Sequence, residues 1–195
     1  MAAFFTSDQH YDHKNIIKYC NRPFKTIDHM VEEMIVRHNS VVAADDVVWH
    51  LGDFCLNAQT VDKILPRLNG THHLVCGNHD AVHPMKKSRD RFIKSYHDAG
   101  FFSIWSELRI EIEGVGTALL HHMPYTGDNQ TSNRYEEWRP KRGNEALQIH
   151  GHVHEKWKVR PGMINVGVDV WDYAPVSLEQ IKSVYIPPER GTVST

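Results

Sequence analysis

The feature that most constrains the fold is a pattern that occurs five times along the chain: a short apolar run ends at a polar cluster. The five clusters are Asp8-Gln9-His10, Gly52-Asp53, Gly77-Asn78-His79-Asp80, His121-His122 and His150-Gly151-His152-Val153-His154. Short apolar runs bounded by turn residues are typical of buried strands. Five strand ends with metal-ligating residue types in one small domain indicate loops that converge on a single metal site.

The first 80 residues predict a β-α-β-α-β order. The predicted strands are residues 2–7, 47–51 and 72–76. Between them, apolar side chains recur at helical spacing over residues 27–38 and 61–68, and Thr26 is placed to cap the first helix. This order favours parallel strands joined by right-handed crossovers.

In such sheets, ligands bind beyond the carboxyl ends of the strands. Asp8, Asp53 and Asn78 each follow one of the three predicted strands. We therefore expect these three side chains to lie at one edge of the sheet.

The second half predicts shorter elements. Helices are expected over residues 91–98 and 177–183, extended segments over 101–105, 108–112 and 117–120, and turns at 113–116 and 160–162. The polar stretch 128–144 is interpreted as a long loop. Since no repeat or linker interrupts the sequence, we expect one domain over residues 1–187 and a C-terminal tail over 188–195.

The composition is that of an ordinary globular protein of 195 residues, with 41% hydrophobic and 24% charged residues. Histidine is the unusual member, with 15 residues. The formal net charge of −2 provides no overall basic field for nucleic acid, so recognition of such a substrate would be local to the site. The sequence indicates no stable protein partner.

Cysteine usage and the N-terminus predict a cytoplasmic protein. Cys20, Cys55 and Cys76 are an odd number at wide spacing, which favours reduced thiols over a disulfide framework. The N-terminal apolar run lacks a basic flank and is too short for a signal peptide. No segment has the length of a membrane span.

Each cluster has a plain structural explanation when it is taken singly. With 15 histidines in 195 residues, a pair such as His152 and His154 arises by chance roughly once. A Gly-Asp pair after a strand is often only a turn, and His121-His122 fits an exposed surface. The order and placement of the clusters therefore matter more than any one of them.

The ordered series Asp-x-His, Gly-Asp, Gly-Asn-His-Asp, His-x-Pro and Gly-His-x-His resembles the calcineurin-like metallophosphoesterase superfamily, and its small stand-alone bacterial and phage members in particular. The five blocks run from Asp8 to His154. The resemblance implies an α/β (α+β) fold, a four-layer α-β-β-α sandwich of two mixed β-sheets flanked by helices.

The resemblance also implies seven metal ligands. One ion would be held by Asp8, His10, Asp53 and His154, and a second by Asp53, Asn78, His122 and His152. The family pattern is His, one residue, then Pro, so Pro124 favours His122 over His121.

The catalytic residues follow from the same resemblance. His79 would contact the scissile phosphate or protonate the leaving oxygen, oriented by Asp80. Three further residues are expected to contact the substrate, although simpler structural explanations remain open. They are His13, which a helix start explains equally well, Arg22, which a loop packed on an aromatic explains better, and Asn57.

Two divalent ions suit this ligand set. Mixed nitrogen and oxygen ligands without thiolate favour manganese, with iron, zinc or nickel as alternatives, over magnesium or calcium. Two carboxylates leave surplus positive charge on the ions, which attracts an anionic phosphate.

The expected substrate is a phosphodiester. Protein phosphatases of the superfamily have an arginine four residues after the bridging aspartate, where this chain has Asn57. A diester has one charge fewer than a monoester and needs that bidentate partner less. Nucleotides, either cyclic or at nucleic-acid ends, are the preferred substrates. The alternatives are a phosphomonoesterase and a non-enzymatic scaffold of the same fold.

Overall fold

The computed structural model describes residues 1–127 and 135–188. Its strands are β1 (Ala3–Thr6), β2 (Val47–His50), β3 (Thr71–Val75), β4 (Phe101–Trp105), β5 (Leu108–Ile112), β6 (Gly116–Leu120), β7 (Leu147–His150), β8 (Val159–Arg160), β9 (Met163–Asn165) and β10 (Val176–Ser177). Its α-helices are α1 (Ile16–Tyr19), α2 (Ile27–Val41), α3 (Ala58–Ile64), α4 (Asp90–Ala99) and α5 (Leu178–Val184).

The first sheet has the strand order β10-β1-β2-β3-β4. The predicted parallel order is confirmed, since β1, β2, β3 and β4 pair in parallel, and only β10 runs antiparallel to β1. The second sheet has the order β5-β6-β7-β9-β8. Here β6, β7 and β9 are parallel, and β5 and β8 are antiparallel at the two edges.

Two hydrophobic clusters hold the layers together. Helices α2, α3 and α4 pack on the first sheet through buried residues that include Met30, Val61 and Tyr96. The second cluster combines residues of both sheets, such as Phe5 and Ile149, with Ile181 of α5. The expected sandwich of two mixed sheets flanked by helices is confirmed.

Local sequence signals explain where the helices begin. The Thr26 hydroxyl accepts a hydrogen bond from the His29 backbone, so the predicted cap of α2 is confirmed. Ser177 and Gln180 form a capping box at the start of α5. Helix α3 ends at Ile64 and continues as a 3-10 turn over Leu65–Arg67, in which Pro66 lies at an early position.

The loop prediction for residues 128–144 is tested only in part, because residues 128–134 lie outside the described residues. The remainder includes a 3-10 turn at Glu136–Trp138. The tail predicted at 188–195 also lies outside them except for residue 188, and the division at 187 stays a prediction.

Candidate metal centre

The predicted ligands come from five loops at the carboxyl ends of strands in both sheets. Asp8, Asp53 and Asn78 follow β1, β2 and β3, as expected, whereas His122 and His152 follow β6 and β7. A parallel bridge between Ser7 and Gly167 brings the two sheets together at this edge. The centre therefore forms only when the two sheets pack against each other.

The first group consists of Asp8, His10 and His154, whose ligand atoms lie within 4.8 Å of one another. His154 Nε2 is 3.9 Å from Asp8 Oδ1. The rings of His10 and His154 are stacked with their centroids 5.2 Å apart. A carboxylate and two imidazoles are a common ligand set for transition metals.

The second group consists of Asp53, His122 and His152, again within 4.8 Å. His122 Nε2 lies 3.3 Å from Asp53 Oδ2. The same Asp53 oxygen is 3.6 Å from Nε2 of His10, which belongs to the first group. Asp53 thus lies between the two groups, the position required of a bridging ligand.

Two buried ligand atoms support a fit to metal ions. Within the described part of the chain, Asn78 Oδ1 and His10 Nε2 are buried without a hydrogen-bond partner. Buried polar atoms are seldom left unpaired, because burial without a partner costs free energy. Both atoms are electron-pair donors of the types that bind divalent transition metals.

Backbone strain concentrates at the same residues. Five of the predicted ligands have positive φ angles, namely Asp8 (59°), His10 (52°), Asp53 (55°), His152 (71°) and His154 (49°). This region is unfavourable for residues other than glycine and clusters at functional sites. Here it turns successive side chains of a loop toward one point.

Glycines permit the close approach of these loops. A side chain at Gly77 would overlap Oδ1 and the backbone nitrogen of Asp53, and one at Gly151 would overlap Asp8 and Ser7. Gly52 has φ of +91°, and a side chain there would overlap the Gly77 backbone.

Hydrogen bonds on the far side of two rings fix their orientation. His122 Nδ1 donates to the Leu51 carbonyl at 2.7 Å, and this leaves Nε2 as the ligand atom. His154 Nδ1 is 3.1 Å from Asp169 Oδ2, so its Nε2 faces Asp8. Asp169 thus supports the His154 ring, and Asn165 supports the same loop by donating to the His154 carbonyl at 2.8 Å.

Arg22 differs from the expectation of a residue at the substrate, because its hydrogen bonds go to acceptors within the protein. Its guanidinium is buried and donates to both carboxylate oxygens of Asp169, at 2.7 and 2.9 Å. It also donates to the carbonyls of Gln9, at 2.9 Å, and Asp8, at 2.7 Å. All of these acceptors belong to the ligand loops or their support, so Arg22 holds the Asp8 turn in place.

Asp80 also differs from expectation. Its carboxylate accepts hydrogen bonds from the backbone nitrogens of Asp53 (2.9 Å), Phe54 (3.0 Å) and Gly77 (2.7 Å) rather than from the His79 ring. Burial and the nearby Asp53 carboxylate raise the pKa of Asp80 to about 7, against the effect of these donors. Asp80 thus holds the Asp53 and Gly77 loops together, and among the described residues its carboxylate forms no hydrogen bond with the His79 ring.

His79 stands at the mouth of the centre. Its side chain is 43% exposed, with Nε2 4.0 Å from Asp53 Oδ2. The His79 side chain lines two clefts. One, of about 390 Å³, is lined by His13, Tyr19, Cys20 and Lys156 beside the first ligand group. The other, of about 510 Å³, is lined by Asn57, Lys86 and Phe92.

The two remaining predicted substrate residues occupy these clefts. The His13 ring contacts the His10 ring at 5.5 Å between centroids. Asn57 caps α3, because its Oδ1 accepts from the Gln59 backbone nitrogen at 3.0 Å. Its side chain is therefore partly committed to the helix.

The choice of His122 over His121 agrees with the geometry. His121 Nδ1 accepts from the Met123 backbone nitrogen at 3.0 Å, and the side chain lines a separate cleft with His83 and Trp138.

Cys20, which no sequence pattern singles out, groups with His154 and Asp169. Because Cys20 is far from His154 and Asp169 in the sequence, only the folded structure reveals that these residues are close together.

The electrostatics of the centre favour cations. Burial lowers the pKa of His122, but the Asp53 carboxylate outweighs burial and raises it to about 9. Burial also lowers the pKa of His154, but the Asp8 carboxylate outweighs burial. The pKa of His154 therefore lies well above its usual value. The same negative field attracts metal ions, which compete with these protons.

A two-sheet sandwich with carboxylate and imidazole groups at its common edge defines this protein as a metal-dependent phosphoesterase by class. The chain belongs to the calcineurin-like phosphoesterase superfamily, whose domain profile matches residues 1–168. No helix within residues 1–127 and 135–188 combines the length and apolar character needed to cross a bilayer.

Relatives of similar length occur in phages and archaea. The chain is 30% identical over 200 residues to the Gene 66 protein of Mycobacterium phage D29, covering 97% of this chain and 98% of the phage protein. It is 32% identical over 200 residues to an uncharacterized protein of Methanocaldococcus jannaschii, covering 97% and 93%. A crystal structure of an Aquifex aeolicus protein of unknown function is similar with a TM-score of 0.70 and 28% identity, covering 93% of this chain and 98% of that one.

Proposed function

We propose that this protein hydrolyses phosphodiester bonds of nucleotides with two divalent metal ions. The observation that carries the proposal is the position of Asp53, which lies 3.3 Å from His122 and 3.6 Å from His10 and so joins the two ligand groups. The proposed ligands of the two ions are Asp8, His10, Asp53 and His154, and Asp53, Asn78, His122 and His152.

The chemistry of the donors favours manganese, with iron, zinc or nickel as alternatives. When bound, two such ions polarise the phosphoryl oxygens and make water nucleophilic at neutral pH. Around them, Arg22 and Asp169 hold the Asp8 turn and the His154 ring, and Asp80 holds the Asp53 loop. These residues keep the ligand geometry fixed before substrate arrives.

His79 is the proposed general acid. Its exposed imidazole at the mouth of the centre is placed to donate a proton to the oxygen of the departing alcohol, and general acids of this kind contribute about 10²–10⁴-fold to rate.

A diester is favoured by the two clefts that meet at His79. A phosphodiester has an organic group on each side of the phosphorus, and the clefts of about 390 and 510 Å³ give each group a place. Neither cleft is lined by an arginine, within the described part of the chain, that would select a monoester dianion by bidentate contact. The cytoplasm is the proposed location, consistent with three free cysteines.

Comparing hydrolysis of bis-p-nitrophenyl phosphate with that of p-nitrophenyl phosphate, both with Mn²⁺, tests this proposal. We expect the diester to have the higher kcat/KM and Asp53→Asn to abolish both activities. Cleavage of the monoester alone would establish the phosphomonoesterase instead. No hydrolysis of either ester with any of the four metals would favour the non-enzymatic scaffold.

A further inference from the structure

We propose that a lysine-lined groove beside the catalytic cleft binds the backbone of a single-stranded nucleic acid whose scissile phosphate lies at the metal centre. This inference rests on the proposed phosphodiesterase function and narrows its substrate from nucleotides to strands.

The groove has a volume of about 390 Å³ and lies where the segment around α1 meets the start of α2. Its cationic lining consists of Lys14, Lys18 and Lys25. Ile17 and Ile27 provide apolar surface between these cations. Ammonium groups at intervals can contact successive phosphates of a strand, and the apolar side chains between them can contact its sugars or bases.

The three lysines are available for an anionic ligand. None of their ammonium groups has a carboxylate oxygen of a described residue within 4.0 Å. Some other lysines are paired on the surface, for example Lys94 with Asp98 at 2.6 Å and Lys182 with Glu179 at 3.3 Å. In a protein with a net charge of −2, this groove therefore presents three ammonium groups that lack a carboxylate partner among the described residues.

The groove and the catalytic cleft lie on either side of one short segment that contributes residues to both. His13 and Ile16 face the cleft, whereas Lys14 and Ile17 line the groove. Lys14 is four residues from the proposed ligand His10, so their backbones are at most about 14 Å apart. A strand of a few nucleotides can therefore contact both.

Tyr19 lines the catalytic cleft and directly follows Lys18, which lines the groove. The residue is 68% exposed, and its ring meets the edge of the His13 ring with centroids 5.8 Å apart. An exposed aromatic side chain of this size is a stacking platform for a base regardless of sequence. Phosphate contacts in the groove and a base on Tyr19 would orient the strand toward His79.

The test is fluorescence anisotropy of a fluorescein-labelled 12-nucleotide strand, DNA in one arm and RNA in the other, with protein stripped of divalent ions so that nothing is cleaved. The variant K14Q/K18Q/K25Q is compared with K63Q/K94Q/K182Q, which removes the same charge from lysines outside the groove and both clefts. Circular dichroism verifies that both are folded.

We expect the groove variant to bind at least about tenfold more weakly at low salt, and the control variant to stay within about twofold of the wild type. The slope of log Kd against log salt should become shallower by about 2 in the groove variant, since each neutralised phosphate of a single strand contributes about 0.7. Tyr19→Ala should weaken binding by about fivefold, and Tyr19→Phe should retain it.

Equal weakening by both triple variants would overturn the inference. So would equal competition by poly-glutamate of matched charge, which would indicate a general polyanion groove. The lysines lie outside the catalytic machinery, so the groove variant should hydrolyse bis-p-nitrophenyl phosphate at the wild-type rate. Hydrolysis of that ester without strand binding would overturn only this inference, whereas groove-dependent strand binding without any diester hydrolysis would support the groove and contradict the proposed function.

Discussion

His154 and Asp169 form a hydrogen bond of 3.1 Å that links a proposed metal ligand to a buried ion pair. The Asp169 carboxylate also accepts hydrogen bonds from Nε and Nη2 of Arg22. One carboxylate therefore orients the ligand ring and neutralises the arginine that holds the Asp8 turn. Loss of either partner is expected to disturb both protein stability and metal binding.

Arg22→Met should lower the free energy of unfolding by about 3–5 kcal/mol, because it leaves the buried Asp169 carboxylate without its counterion. Urea denaturation measures this change. Arg37→Met is the matched control: Arg37 pairs with the exposed Asp172 at 2.8 Å, and such surface pairs contribute about 0–1 kcal/mol. Similar losses in the two variants would contradict the structural role of Arg22.

His79 and Asp80 are adjacent but should behave differently when mutated. His79→Ala should lower kcat by about 10²–10⁴-fold and leave metal affinity and stability close to those of the wild type, because the side chain is exposed at the mouth of the centre. Steady-state kinetics and calorimetric metal titration separate these effects.

Asp80→Ala should instead weaken metal affinity and lower stability, since it leaves three backbone N–H groups of the Asp53 and Gly77 loops unpaired. A variant that lost only kcat and kept full metal affinity would restore Asp80 to a catalytic role.

The buried side chain of His38, which lies outside the metal centre, should make the fold less stable at acidic pH. Burial lowers the pKa of His38 to about 4, although its Nε2–H donates a hydrogen bond to the Asn69 carbonyl at 2.9 Å, which opposes the shift. The unfolded state binds a proton near pH 6.5 and the folded state does not, so stability is complete above pH 6.5 and falls as the pH drops toward 4.

Between pH 7 and pH 4 this single group should cost about 3 kcal/mol. His38→Gln keeps a donor for the Asn69 carbonyl but cannot be protonated. Urea denaturation across this pH range should therefore show a smaller loss of stability in His38→Gln than in the wild type. Parallel pH profiles would mean that His38 does not titrate as described.

Local sequence signals predicted much of the fold. The cap at Thr26, the turn between β5 and β6 and the parallel order of β1 to β3 all depend on residues close together in the sequence. The order of the five polar clusters likewise pointed to the ligand loops, because strand ends determine where such loops meet.

What the sequence missed depends on contacts between distant segments. Arg22 and Asp169 are 147 residues apart, and no local pattern reveals that they pair. Asp80 accepts a hydrogen bond from the Asp53 backbone nitrogen across 27 residues, and nothing in the sequence around His79 indicates this contact. Such long-range hydrogen bonds determine which polar side chains hold the loops of the centre in place.

The most direct test of the account is the number of Mn²⁺ ions bound per chain, measured by isothermal titration calorimetry. His121→Ala and His122→Ala provide a matched pair, since these neighbouring histidines are both buried but only His122 faces Asp53. We predict two ions in the wild type and in His121→Ala, and at most one in His122→Ala. Two tightly bound ions in His122→Ala, or a single ion in the wild type, would contradict the dinuclear centre.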